Sequence, residues 1–465
     1  MTIWNPSALN LAKPKYQALA DAIAEAISQG ELNPGARLPA QRMLADRLGV
    51  TVGTITRAYA EAERRGLLVA TVGSGTYVRE KAQSEGFQIQ ERSPSILDLG
   101  FTLAVEKGQT NLLRDHLRDI ADTPELVSAL FDYVPETGLA PHREAAKIWL
   151  AEEGIVRDTE DILWCHGGQN ALFTCLHALC ESGDTVLSDG ITYSGFILAA
   201  RYLHCRHVGL PMDDEGLIPH ELRIACERYR PRVLYLMPQL HNPTGVQMSD
   251  TRKREILAIC AQYDVVVLED NVQTALLSDK PTPMVAMAPD RVVALSSCSK
   301  AMVGGLRTGF LVPPPAWRDR FRMALRVSSW MVSPLLAELT SRWIRDPQRA
   351  QIMHAQRADV VERQVLAQQV LGPHGYRAHP EALHGWLPLS GQWRAVEFAQ
   401  LMASQGVAVK PAEVFAVGQF VAPQALRLCI GAPLTHAQLA SALQTIATAL
   451  QAPSADAHWL NQGTI

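Results

Sequence analysis

Apolar residues recur at helical spacing at the front of the chain and give way to short apolar runs further on. Tyr16, Leu19, Ile23 and Ile27 fall on one face of a helix that Gly30 stops. Leu32-Asn33-Pro34-Gly35 reads as a turn. A second, short helix is predicted over Ala40–Leu48, with Met43, Leu44 and Leu48 inward and Gly49 at its end. Thr51 caps a third helix with Ile55, Tyr59 and Ala62 inward, and Gly66 terminates it. Leu67–Ala70 and Thr76–Val78 then read as two short strands joined across Gly73-Ser74-Gly75.

That order of helices and hairpin is the order of a winged helix-turn-helix. Such a module reads DNA with the N-terminal end of its third helix, where Thr51, Thr54 and Arg57 stand between the apolar positions. Arg42 is placed to hold a phosphate, and Gly73, Ser74 and Gly75 let the wing approach the DNA backbone closely. On pattern alone, a three-helix packing module whose arginines are merely solvated fits as well.

Beyond a polar stretch at 80–96 that reads as a linker, strands and helices alternate to about residue 452, as in an α/β domain. Residues 453–465 form a C-terminal tail. Candidate strands are Thr185–Ser188, Val233–Met237, Val265–Glu269, Val292–Ser296 and Gly309–Val312. Functional residues of such a sheet gather where strands end. Gly167-Gly168-Gln169-Asn170 opens the helical run Ala171–Leu179 and would offer N–H groups to an anion, although a plain helix entry has the same look. Asn242-Pro243-Thr244-Gly245 follows the second strand, a turn whose Asn242 amide would reach a ligand oxygen. Asp270 ends the third strand and needs a buried partner, either a protonated pyridine nitrogen or a neighbouring arginine. Lys300 follows the fourth within Ser297-Cys298-Ser299-Lys300. It is either a snorkelling surface lysine or an amine able to form a Schiff base, with Ser297, Ser299 and Arg307 suited to a phosphate.

Composition narrows the class. With 47% hydrophobic and 19% charged residues the chain is ordinary globular material, and its 465 residues suffice for about three domains. The net charge of −4 leans away from nucleic acid, yet residues 1–80 carry nine Lys/Arg against seven Asp/Glu. No uncharged apolar run reaches the ~20 residues of a membrane span, and the first residues lack a signal-peptide core. The eight cysteines contain no CxxC pair, so neither a disulfide framework nor a zinc site is expected, and the natural setting is a reducing cytoplasm.

Two resemblances join these readings. Pro34-Gly35-Ala36-Arg37-Leu38-Pro39-Ala40-Gln41-Arg42-Met43-Leu44-Ala45, with Leu48-Gly49-Val50-Thr51, Ala58-Tyr59 and Gly73-Ser74-Gly75-Thr76-Tyr77-Val78, resembles the GntR-type winged helix. The family often has arginine directly after the residue that opens the recognition helix; Val52 stands there. The succession Gly167-Gly168-Gln169, Asn242-Pro243-Thr244-Gly245, Asp270, Ser297-x-Ser299-Lys300 and Arg307 resembles fold-type I, class I aminotransferases. Tyr133 with Gly138 and Arg143, and Asp189-Gly190-Ile191-Thr192-Tyr193, match further motifs of that family. The whole chain looks like a MocR-type regulator of the GntR superfamily, with the DNA-binding domain at 1–79 and the effector domain at 97–452.

The resemblance implies an α/β body with a mostly parallel central sheet and a smaller C-terminal α+β subdomain, and pyridoxal 5′-phosphate as cofactor. Lys300 would carry the cofactor as an aldimine, Asp270 would pair with its ring nitrogen, and Asn242 would bond its ring oxygen. Tyr193 would stack on the ring, while Gly168, Gln169, Ser297, Ser299 and Arg307 would hold the phosphate. Arg427 would take the carboxylate of an amine or amino-acid effector, and Tyr133 would reach a neighbouring subunit's site. Implied partners are a double-stranded DNA operator and a second copy of the chain. Relatives usually place a tyrosine two or three residues after the aspartate; here Val272 and Gln273 stand there. A working aminotransferase with an accessory DNA module is the alternative.

Overall fold

The computed structural model describes residues 4, 6, 14–28, 30–33, 35–65, 67–71, 75–78, 95–431 and 435–451. At the front lie helices α1 (Lys15–Ser28), α2 (Gln41–Leu48) and α3 (Val52–Arg64), then the antiparallel pair β1 (Leu68–Thr71) and β2 (Gly75–Val78). The Thr51 hydroxyl accepts from Thr54 N at 3.2 Å, capping α3 as its sequence position requires. Leu19, Ile23, Ile27, Leu44, Ile55, Tyr59 and Ala62 form the core of this module. The Tyr59 phenol, buried among them, donates to Pro39 O at 2.8 Å and so leaves no polar atom stranded. One inward assignment fails: Met43 is 42% exposed and Ala45 is buried in its place. Leu44 and Ala45 are the buried pair of this helix, so its inward face lies one residue later than the pattern places it. Gly66, Gly73, Ser74 and most of the linker lie outside the described residues.

The body is built on a seven-stranded sheet of β3 (Leu163–Cys165), β4 (Thr185–Asp189), β5 (Arg206–Leu210), β6 (Val233–Leu236), β7 (Val266–Asp270), β8 (Val292–Ser297) and β9 (Gly309–Val312). Helix α4 (Gly167–Leu179) leaves the end of β3. The spatial order is β3-β9-β8-β7-β6-β4-β5, and β9 is antiparallel to both of its neighbours while the other pairs run parallel. Side chains alternate between two cores: Leu234 and Leu236 enter one, Val233 and Tyr235 the other. A strand covered on both faces reads as a continuous apolar run, which is why these strands stand out in the sequence. Each fully buried Leu or Val adds ~1.5–3 kcal/mol.

The smaller part carries the 24-residue helix α5 (Gln348–Leu371) and an antiparallel sheet of β10 (His384–Pro388), β11 (Lys410–Pro411) and β12 (Ala425–Cys429), in the order β10-β12-β11. It delivers Lys410 and Arg427 to the C-terminal edge of the large sheet. Among the described residues no helix is long and apolar enough to cross a membrane, and no cluster of His, Cys, Asp or Glu could hold a metal ion.

Candidate functional site

A cavity of about 570 Å³ opens where the large sheet meets the small one. Gly168, Gln169, Tyr193, Asn242, Asp270, Ser297, Ser299, Lys300, Arg307 and Arg427, far apart in sequence, all line it. Strand ends explain the convergence: β7 finishes on Asp270, β8 on Ser297, and Lys300 closes the short 3-10 turn that follows.

Asp270 sits at the bottom and receives only neutral donors. Tyr235 donates its phenol to Oδ2 at 2.8 Å, and Val272 N donates to Oδ1 at 3.0 Å. Burial raises the carboxyl's affinity for a proton, against the pull of those two bonds. The alternative of an arginine partner is not what the structure contains.

Lys300 donates to Thr102 O at 2.7 Å, and burial lowers its amine to about 8. Asn242 accepts from Arg427 Nη1 at 3.0 Å, while Arg427 Nη2 donates to Gly100 O. With its oxygen engaged, the Asn242 amide retains its donor end for a ligand. The Arg427 guanidinium lies 4.8 Å from the centre of the Phe415 ring, and its Nε has no partner in the protein.

The opposite end is a cradle for an anion. Helix α4 begins at Gly167, so Gly168 and Gln169 lie inside its first turn, earlier than the helical run expected from Ala171. The first N–H groups of a helix have no partner within it. Gly167 has φ +73°, and a Cβ there would come within 2.8 Å of the Arg307 guanidinium, so the arginine packs against bare backbone. The Ser297 hydroxyl donates to Thr308 O at 2.8 Å and stands 2.9 Å from Ser299 Oγ. Tyr193 OH donates to Gln169 Oε1 at 3.2 Å, fixing the ring on the cavity wall.

Tyr133 is outside this cavity. It is 81% exposed, meets the Trp330 ring edge-on at 6.1 Å, and has the 88%-exposed Phe131 two residues away. Residues that sequence reasoning missed are Tyr235, Thr102, Phe415 and Lys410. None lies in a motif, and only the register of strands and the crossing of the small sheet bring them in. Val272 and Gln273, which replace the expected tyrosine, both line the cavity.

In the front module Arg42 and Arg57 are exposed, and Lys15, Tyr16, Thr51, Gly53, Thr54 and Arg57 border one shallow depression. Gly75 has φ +127° and lies against the Arg37 guanidinium.

A winged helix ahead of an aminotransferase-like body defines a class: transcriptional regulators whose effector domain has an enzyme's fold. The comparisons agree. Aminotransferase class I and II matches residues 114–446, and bacterial regulatory proteins of the gntR family match residues 15–78. The chain therefore belongs to the aminotransferase class I and II family and, with its gntR-family front, to the MocR-type GntR regulators. It is 33% identical to the uncharacterized HTH-type transcriptional regulator YdeF of Bacillus subtilis, over 95% of this chain and 96% of that one. It is 26% identical to PtsJ of Salmonella typhimurium, a vitamin B6 salvage pathway transcriptional repressor, over 85% and 90% of the two chains. The fold is that of a kynurenine aminotransferase from Pyrococcus horikoshii solved with PMP (TM-score 0.70, 21% identity, 77% of this chain and 91% of that one). It is also that of LysN, an α-aminoadipate aminotransferase from Thermus thermophilus (TM-score 0.69, 23% identity, 77% and 92%).

Proposed function

We propose that this regulator binds pyridoxal 5′-phosphate in the cavity and uses it to sense an amine or amino acid, altering how the winged helix engages an operator. The observation that carries the reading is that Asp270 and Lys300 line the same cavity. A buried carboxylate fed only by neutral donors stands in one cavity with a buried lysine whose amine is lowered to about 8. When bound, the cofactor supplies an electrophilic aldehyde carbon and an electron-withdrawing ring.

The residues fit that group. Lys300 would present the amine, and Asp270 would hold a proton on the ring nitrogen. Asn242 would donate to the ring oxygen and Tyr193 would pack against the ring. Arg307, Ser297, Ser299 and the first N–H groups of α4 would hold the phosphate. Arg427 takes the effector's carboxylate through the guanidinium donors that Asn242 and Gly100 leave open. With the cofactor bound, Lys300 would be the group that an effector amine displaces, and a freed Lys300 side chain would be the difference between states that such a ligand biases. The exposed Tyr133, Phe131 and Trp330 suit a second copy of the chain, whose site Tyr133 would complete. Two winged helices would then set the half-site spacing on the operator.

The test is gel retardation of the chain's own upstream DNA by PLP-loaded protein, with and without a panel of amines. Retardation that changes with an amine in the parent chain and not in Lys300→Ala supports the reading. Binding no stronger than to random DNA at physiological salt contradicts it. Because every expected cofactor contact except Tyr133 lines the cavity, slow amino transfer is the second reading, and sustained turnover of an amino donor with a keto acid would favour it.

A further inference from the structure

Two cysteines outside both the cavity and the winged helix are brought together by the fold. Cys180 follows the last residue of α4, its N–H donating to Leu176 O at 2.9 Å, and Cys205 immediately precedes the edge strand β5. Backbone bonds draw the two segments close. Gly183 N donates to His204 O at 2.9 Å, and Arg206 N donates to Asp184 O at 2.8 Å. Cys205 lies between those two anchored residues, and Thr185 and Arg206 then begin the parallel pairing of β4 with β5. Both cysteines are half-buried beside exposed neighbours, Glu181 next to one and His204 and Arg206 next to the other. The remaining cysteines are buried.

The two thiols share a hydrogen bond, and it is the largest influence on the proton affinity of each. The bond raises Cys180, as burial does too, and lowers Cys205 against burial and the charge of Asp184. Cys180 is thus the donor and Cys205 the acceptor. The charged groups acting on the pair are Asp184 and Arg232, whose side chains lie 3.9 Å apart. A thiol of lowered proton affinity that reaches solvent beside a second thiol is the arrangement of an attacking and a resolving cysteine. Cys175 and Cys298, whose thiols burial raises well above the ordinary value, offer no thiolate.

We propose that Cys180 and Cys205 form a reversible dithiol–disulfide site whose oxidant is a peroxide. The Cys205 thiolate attacks one oxygen of hydrogen peroxide, the O–O bond breaks, and Cys205 becomes a sulfenic acid as hydroxide leaves. The Cys180 sulfur then attacks the Cys205 sulfur and the S–O bond breaks, the departing hydroxide taking the Cys180 proton as water. In all, the two thiols give up two protons and two electrons, and the peroxide becomes two waters. The link ties the end of α4 to the edge strand β5 and closes a loop that carries β4 and Tyr193. In a reducing compartment such a bridge is transient, which is the behaviour of a redox sensor. The site is independent of the cofactor reading.

The test treats fully reduced, full-length protein with one equivalent of hydrogen peroxide, blocks the remaining thiols and maps the digest by mass spectrometry without reduction. Two of the eight thiols should be lost, in peptides joined through Cys180 and Cys205 within one chain, and dithiothreitol should restore both. Cys205→Ser should slow the loss of thiols at least ~10-fold, because the thiolate is the nucleophile. Cys180→Ser keeps a hydroxyl donor beside Cys205 and should leave a sulfenic acid there, trapped by dimedone, with no bridge formed. A parent chain that forms no bridge, or one between other cysteines, would overturn the proposal. So would an unchanged rate in Cys205→Ser, or dimedone labelling anywhere but Cys205 in Cys180→Ser. Each result reads the same whether or not the protein takes up PLP.

Discussion

Tyr235 on β6 donates its phenol to Asp270 on β7 across 2.8 Å, and this bond organises the base of the cavity. The register explains it. Leu268 is the partner of Tyr235, and Asp270, two residues on, points to the same face within diagonal reach of an aromatic side chain. The bond favours the carboxylate form against the burial that opposes it.

Tyr235→Phe should therefore raise the proton affinity of Asp270 and weaken its hold on the ring nitrogen. A several-fold loss of PLP affinity is expected, with a loss of ~1–3 kcal/mol in unfolding free energy from the carboxylate left short of a donor. Fluorescence titration and denaturant unfolding measure the two. Unchanged PLP affinity would show that Asp270 is ionised without its help.

Lys300 gives a pH signature. Only the neutral amine attacks a carbonyl, and burial brings this lysine down to about 8 from 10.5. Capture of PLP by the apo chain should accelerate with pH up to about 8 and level off above it. Stopped-flow mixing over that range measures this. A rate still climbing steeply above about pH 9 would instead fit an ordinary exposed lysine.

Asp189 ends β4 with Oδ2 3.5 Å from His241 Nε2, yet the contact is not an ion pair. Burial pushes the carboxyl up to about 7 and the imidazole down to about 3, so the histidine is neutral throughout the working range. A carboxyl whose folded value exceeds its unfolded one contributes stability that is full below the unfolded value and lost as pH rises through about 7. Asp189→Asn should remove that contribution, which opposes the one from the neutral His241. The change in melting temperature from the parent chain to the variant should therefore be more favourable at about pH 8 than at about pH 5. The same change at both pH values, or a less favourable one at about pH 8, would contradict the assignment.

In the front module, Thr51→Ala removes the α3 cap and should cost ~1 kcal/mol of that module's stability. Arg42→Ala should weaken binding to all DNA sequences alike and reduce the salt dependence by about one phosphate contact. Arg57→Ala should relax sequence preference, as expected of a side chain near the start of the recognition helix. Fluorescence anisotropy at several salt concentrations separates the two, and identical behaviour of both variants would remove the distinction.

Much of this was legible in the sequence because buried parallel strands are continuous apolar runs closed by glycine, proline or polar residues. Thr185, Val233, Val292 and Gly309 each start a strand where the pattern places one, and Asp270 and Lys300 stand at the expected strand ends. Of the seven-stranded sheet, the two strands missed, Leu163–Cys165 and Arg206–Leu210, are its edges. One is three residues long and the other mixes Arg206, His207 and Gly209 into its run, as edges commonly do. Lys410 escaped for another reason. Its strand has two residues, and only pairing with Arg427 across the chain gives the lysine a direction. Tyr235 likewise looks like a core aromatic until the register with β7 is known.

Lys300 is the residue on which the proposed capture of PLP depends most directly. Full-length protein mixed with PLP, reduced with borohydride and digested, should carry the phosphopyridoxyl group on the peptide containing Lys300, stoichiometrically, and lose it in Lys300→Ala. A label scattered over other lysines, or one that persists in Lys300→Ala, would contradict it.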